Sequence, residues 1–318
     1  MNASMRDAIL NEVYKDLQQD EEIFFLSADF GAPLLDQLRR DFPQRFLNVG
    51  IAEQNLVNVA AGLALEGFRL FTYAIAPFYL RALEQIRNNL CLLSQYRRLN
   101  VNMLAVGAGC SYDMAGPTHH CFEDISVLRS LPGIEVVSPS DTVAAAAAYC
   151  LTKKEGLRYF RLDSKIIEPL YVQEDFIWPK SGWHLLSNPK EPDCCLLSTG
   201  YMSSMTAQIA RLLQEQGIAA RHIDILQLKY LDEELLKKQL TQLPLFSFEE
   251  AYIGKGGLDS ILHKLREPGQ NLKPYGIPDR FETSHGNRRE TLKAYGLCPE
   301  KIVEEISKIL IKSKSDTD

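Results

Sequence analysis

Short runs of branched and aromatic residues recur along this 318-residue chain, with longer helix-periodic segments between them. Residues 22–27 (EIFFLS), 102–106 (NMLAV), 158–162 (RYFRL) and 194–198 (CCLLS) are too short for stable helices and read as strands, 102–106 as a buried one. Residues 55–65 (NLVNVAAGLAL) are small and apolar almost all round, as in a buried helix closed by Gly67. Tyr79, Leu83, Ile86, Leu90 and Leu93 recur at three- and four-residue spacing, which predicts an amphipathic helix. Asp141 caps an alanine-rich helix after the Ser138-Pro139-Ser140 turn, and the first 17 residues form another amphipathic helix. Strands alternating with helices imply an α/β fold with mainly parallel sheets, because parallel neighbours need long crossovers.

At about 150 residues per domain, the length predicts two domains. Prolines and two tryptophans interrupt the periodicity after residue 165, so residues 1–175 read as one domain, 176–190 as a linker and 191–318 as a second, smaller domain. That second unit shows a βαβ order around Gly200 and Gly217, with helices near 232–241, 257–266 and 299–311, and a frayed tail, KSKSDTD.

Apolar residues make up 46% and charged residues 24%, which excludes a disordered chain. A formal charge of −6 argues against a nucleic-acid or anionic-membrane surface. No run approaches the roughly 18 apolar residues of a membrane span, and the amino terminus lacks the pattern of a signal peptide. A cytoplasmic protein is expected. Seven scattered cysteines without a CxxC pair predict buried, reduced thiols rather than disulfides or a zinc site.

Two segments carry candidate chemistry. In Gly50-Ile51-Ala52-Glu53-Gln54-Asn55 a single carboxylate stands at the mouth of an apolar helix, where it either offsets the helix dipole or shares a proton with a ligand nitrogen. In Gly116-Pro117-Thr118-His119-His120 a rigid turn presents two adjacent histidines, at most one of which reaches a given ligand; their neighbours lack a metal-ligand spacing. Gly254-Lys255-Gly256-Gly257 reads as a tight turn rather than a phosphate loop, and Arg288-Arg289-Glu290 as a solvated helix start.

Taken in order, residues 45–78 (RFLNVGIAEQNLVNVAAGLALEGFRLFTYAIAPF), 116–120 (GPTHH) and 131–141 (LPGIEVVSPSD) resemble the pyrimidine-binding domain of the transketolase family. Residues 193–204 and 221–236 resemble that family's C-terminal domain. The resemblance implies thiamine diphosphate as cofactor. It assigns Glu53 to the pyrimidine N1′, Phe78 to the pyrimidine face, Ile51 to the cofactor's surroundings, His119 to proton handling on the substrate oxygen and Asp29 to the cofactor across a subunit interface. Phe71, Tyr73 and Arg81 fall second in rank. Asp113, His120 and Arg161 match positions on the substrate side.

The Gly-Asp-Gly sequence with which the family holds magnesium and diphosphate does not occur in this chain. The resemblance therefore implies a separate N-terminal subunit that carries it and holds most of the Mg2+ site, the two kinds of subunit pairing into a heterotetramer. Two of the family's phosphate grips fall at Gly107 and Ser164, an acid position at Ala115 and a glutamine position at His120; Lys165 is a substitute cation. Ketol transfer between sugar-like substrates is the first reading. Acyl transfer from a 2-oxoacid, as in deoxyxylulose phosphate synthases, and a non-catalytic regulatory subunit are the alternatives.

Overall fold

The computed structural model describes residues 3–29, 31–283 and 286–315. Its first half is a six-stranded parallel sheet in the order β2-β1-β3-β4-β6-β5, built from β1 (Ile23–Ser27), β2 (Phe46–Asn48), β3 (Arg69–Ile75), β4 (Asn100–Val106), β5 (Ile134–Val137) and β6 (Gly156–Leu162). After their first residue, β3, β4 and β6 are buried throughout, as expected of strands covered on both faces. Helix α1 (Met5–Leu17) precedes the first strand, and the crossovers include α2 (Pro33–Asp41), α3 (Glu53–Leu65), a single turn α4 (Leu83–Gln85), α5 (Asp124–Arg129) and α6 (Thr142–Ala148). Leu56, Val57, Ala60, Ala61 and Ala64 of α3 lie in the core, and Asp141 caps α6 by accepting from Ala144 N–H at 2.7 Å.

Residues 79–93 depart from the regular helix predicted for them. A 3₁₀ segment Ala76–Ala82, the turn α4, a π segment Ile86–Leu92 and a final 3₁₀ turn follow one another. Through these changes of winding Tyr79, Ile86 and Leu90 stay on the core face. The Tyr79 hydroxyl shares a buried hydrogen bond with Thr72 of β3 at 2.9 Å, which holds the 3₁₀ segment on the sheet.

In the second half, β7 (Trp183–Ser187), β8 (Cys194–Ser198), β9 (Ala220–Ile225), β10 (Leu245–Tyr252) and β11 (Leu272–Ile277) form a sheet in the order β11-β10-β8-β9-β7, parallel except for β7. The helices are α7 (Met202–Glu215), α8 (Glu233–Leu240), α9 (Leu258–Leu265), α10 (Arg288–Ala294) and α11 (Pro299–Ser315). Strand β7 lies inside the stretch read as a linker: Trp183 is buried and pairs opposite Ile225, a long-range contact that local sequence does not report. Helix α11 likewise runs into the predicted frayed tail; residues 316–318 of that tail lie outside the described residues.

The two sheets are joined through backbone bonds between the edge strand β5 and the segment after β9. Leu228 N–H donates to Val136 O and Ser138 N–H to Leu226 O, each at 2.8 Å. No disulfide is formed; of the seven free cysteines Cys150 is exposed and Cys298 half-buried, the other five being buried as predicted. Among the described residues no helix is long and apolar enough to cross a membrane.

Candidate active site

Phe71 and Tyr73 are buried inside β3 and Arg161 inside β6; every other candidate side chain of the first domain follows the carboxyl end of a strand: Asp29 after β1, Ile51 and Glu53 after β2, Phe78 and Arg81 after β3, Asp113, His119 and His120 after β4. The carboxyl edge of an open parallel sheet is where side chains from several loops converge on a ligand. Asn48, at the end of β2, ties two of these loops together. It accepts from Asp29 N–H at 3.1 Å and Gly50 N–H at 2.9 Å, and its amide donates to the Asp29 carboxylate at 2.8 Å. Asp29 adopts a left-handed backbone, φ 51°, which aspartate tolerates better than most residues.

Glu53 is the first residue of α3 and only 3% exposed. Arg81, itself largely exposed, is its ion-pair partner at 3.7 Å, and among the described residues no donor is within hydrogen-bond distance of its carboxylate. A carboxylate that the fold leaves without a donor keeps its acceptor capacity for a ligand. That fits a ligand nitrogen carrying a proton, and with it the aminopyrimidine of thiamine diphosphate. The half-buried Phe78 lies in the same 3₁₀ segment as Arg81 and meets the His119 ring edge-on, centroids 5.5 Å apart. The loop after β4 thereby reaches the Glu53 side of the sheet edge.

His119 Nδ1 is hydrogen-bonded to Thr118 Oγ1 at 2.9 Å, which leaves Nε2 for an incoming group. Tyr112 flanks the ring from the other side, centroids 6.4 Å apart. A Cβ at Gly107, where φ is +98°, would run into the Tyr112 ring. Tyr112 therefore leaves no room for a side chain at position 107. His120 turns inward: it is 6% exposed and packs on Phe122, and burial lowers its pKa, favouring the neutral ring, against a smaller opposing effect of the Asp113 backbone. Of the two adjacent histidines, His119 is the one at the open edge.

Arg161 is not brought to this edge. It is buried within β6, paired with Asp124 at 2.9 Å, and donates to Cys121 O at 3.1 Å and Glu250 O at 2.7 Å. Desolvation opposes its charge, but Asp124 together with Cys121, Glu250 and Tyr159 outweighs it and holds the guanidinium above its ordinary pKa. As placed, Nε and Nη2 of Arg161 are engaged in holding the β4 loop and the second domain to β6. Asp113 is also nearly buried. Burial would raise its carboxyl, but bonds from Lys165 at 2.6 Å and from Arg288 and Met114 N–H, each at 2.8 Å, overcome this and hold it below the usual range. Ile51 is 72% exposed beside Glu53. Among the described residues no group of three or more His, Cys, Asp or Glu side chains is placed to hold a metal ion.

Residues 1–162 match the family model "Transketolase, pyrimidine binding domain", about half of the chain. The chain belongs to the transketolase family. The model "Transketolase, C-terminal domain" matches residues 184–302, so this transketolase-family subunit corresponds to the C-terminal section of a split transketolase. Over 289 residues it is 31% identical to an apulose-4-phosphate transketolase subunit of Phocaeicola vulgatus, and over 291 residues 31% identical to a putative transketolase C-terminal section of Methanocaldococcus jannaschii, with 90% of each chain covered in both cases. A solved split-gene transketolase, described as an inactive beta4 tetramer, superposes with a TM-score of 0.83 at 30% identity, covering 98% of this chain and 99% of that one.

In this transketolase-family subunit one group behind the edge carries no local sequence signal. Arg288, read as a solvated helix start, is 6% exposed and ion-paired with Asp163 and Glu250. No local pattern separates it from the adjacent Arg289, because its partners lie 125 and 38 residues away. The Gly254–Gly257 turn behaves as read: the Glu249 carboxylate accepts from Leu258 and Asp259 N–H at 2.8 and 3.1 Å, occupying the start of α9 that an anion would need.

Proposed function

We propose that this chain is the pyrimidine-side subunit of a thiamine-diphosphate-dependent enzyme that transfers a two-carbon ketol unit between sugar-like substrates. The observation that carries the proposal is the Glu53 carboxylate, on a residue only 3% exposed and without a hydrogen-bond donor among the described residues, at the same sheet edge as Phe78 and His119. When bound, the cofactor supplies a carbon nucleophile able to store an electron pair. Glu53 holds a proton at the pyrimidine N1′, a charge-assisted bond strengthened by its burial. Phe78 offers a ring for the pyrimidine face and excludes water from it. His119, with Nδ1 engaged by Thr118, takes and returns a proton at a substrate oxygen through Nε2. Asp29, positioned by Asn48, and Ile51 line the cofactor's approach, and Asp113 and His120 back the substrate side.

Magnesium and diphosphate are assigned to a separate N-terminal subunit bearing Gly-Asp-Gly, with two copies of each chain in the assembly. Of the two relatives compared, one is named as a subunit and the other as a C-terminal section of a transketolase, and both names support this division. The Phocaeicola relative is named for a ketose phosphate, which makes sugars and sugar phosphates the substrate class to test.

Calorimetric titration with thiamine diphosphate and Mg2+ tests the division directly. The isolated chain is expected to give no tight binding. Addition of the N-terminal subunit of the same organism should produce both binding and aldose release from a ketose or ketose phosphate donor. Tight binding by the chain alone overturns the proposal, as does a reconstituted complex that binds cofactor but turns over no ketose donor.

A further inference from the structure

The turn that carries His119 is anchored from the second domain. Asp113, Met114 and Ala115 form a single 3₁₀ turn, and Gly116 N–H donates back to Asp113 O at 3.2 Å. Gly116 O in turn accepts from His119 N–H at 2.9 Å and His120 N–H at 3.2 Å. The Asp113 carboxylate is thus the fixed end of the arm on which both histidines sit. One of its oxygens binds Lys165 and Met114 N–H, and the other accepts from the backbone N–H of Arg288, 175 residues away at the start of α10.

Arg288 is immobilised in turn. Its guanidinium lies between Asp163, at the end of β6, and Glu250 of β10, with Nε donating to Glu250 at 2.9 Å, and it stacks over the Tyr201 ring at 3.5 Å. Glu250 presses against Gly109 at the root of the same loop, leaving no room there for a Cβ. Burial penalises the charge on Arg288, but the two carboxylates more than compensate, so it stays cationic. Asp163 also accepts from Ser111 Oγ at 2.8 Å, which ties the loops after β4 and β6 together beneath the turn.

We infer that Arg288 is a positioning residue for His119, so that a residue of the second domain sets the placement of the group that handles the substrate proton. This rests on the proposed role of His119. Freed from Asp113, the turn can move His119 relative to Phe78, and displacements of about 1 Å in a reacting group cost rate up to about 100-fold without a matching loss of binding.

The test uses the full chain with Arg288→Met, Arg288→Lys, Asp113→Asn and His119→Asn. Amide hydrogen exchange is read on the chain, and kcat, KM and cofactor affinity on the complex with the N-terminal subunit. In Arg288→Met, exchange at amides 113–120 is expected to accelerate while β8, β9 and β10 keep parental protection. Its kcat should fall about 10- to 100-fold with KM and cofactor affinity within about twofold, and Arg288→Lys should recover part of both effects. A folded Arg288→Met with parental exchange at 113–120 or parental kcat overturns the inference. If that variant does not fold, Asp113→Asn, which keeps the Arg288 ion pairs, carries the same expectation and the same refutation. Should His119→Asn retain full activity, the role of His119 is wrong. An inactive His119→Asn beside an unaffected Arg288→Met leaves that role standing and removes only the positioning claim.

Discussion

Glu53→Gln separates the contribution of this carboxylate to function from its contribution to folding. The two side chains are nearly isosteric, so no cavity opens. The interaction lost within the chain is the 3.7 Å pair with Arg81, whose side chain is 67% exposed. A pair so open to water is worth about 0–1 kcal/mol, so little folding stability is at stake. The melting temperature should therefore hold to within a few degrees. Toward the cofactor the change is larger, because glutamine cannot supply the negative charge that keeps a proton on a ring nitrogen. Loss of one preorganised electrostatic contact of this kind costs about 2.7–4 kcal/mol, or a factor of roughly 100 to 1000 in kcat. Steady-state ketol transfer by the reconstituted complex, alongside thermal unfolding of the chain, reads both quantities. A folded Glu53→Gln variant within about threefold of parental kcat would refute the assignment of Glu53 to N1′, and a steep fall in melting temperature would show that the carboxylate serves the fold instead.

Two further predictions concern buried charge. Asp124→Ala leaves the Arg161 guanidinium unpaired at the heart of the sheet, so urea denaturation should show a loss of about 3–5 kcal/mol, against which a loss below about 1 kcal/mol would count decisively. Asp224 is pushed up to about 6 by burial, partly countered by hydrogen bonds from Ser140, Tyr171 and Ser203. Between its ordinary value of 3.8 and about 6 the folded chain holds a proton that the unfolded chain has released, so this group lowers stability as pH rises through that window. Asp224→Asn should accordingly gain on the parent in urea midpoint from pH 4 to pH 7, and parallel pH profiles for the two proteins would contradict the linkage.

Much of the architecture was legible because it depends on short-range pattern. The runs at 22–27, 102–106, 158–162 and 194–198 became β1, β4, β6 and β8, and Asp141 caps α6 as its position implied. Glu53 and His119 stood out by motif, and both lie at the carboxyl edge of the first sheet. The irregular winding of 76–95 and the pairing of β7 were invisible, since each follows from contacts with distant strands rather than from neighbours in the chain.

Arg161 and Arg288 show where local pattern stops. Arg161 sits on a strand end with the look of a substrate grip, yet its charge is consumed by Asp124 inside the protein; Arg288 has the look of a solvated helix start, yet it lies between Asp163 and Glu250 behind the His119 turn. Periodicity and turn chemistry, which act over a few residues, established two α/β layers and the strand ends from which a site is built. Which of the many charged side chains face a ligand and which face one another was decided only when β6, β10 and α10 packed together. A charge is worth what its surroundings make it, and those surroundings come from residues tens to hundreds of positions away.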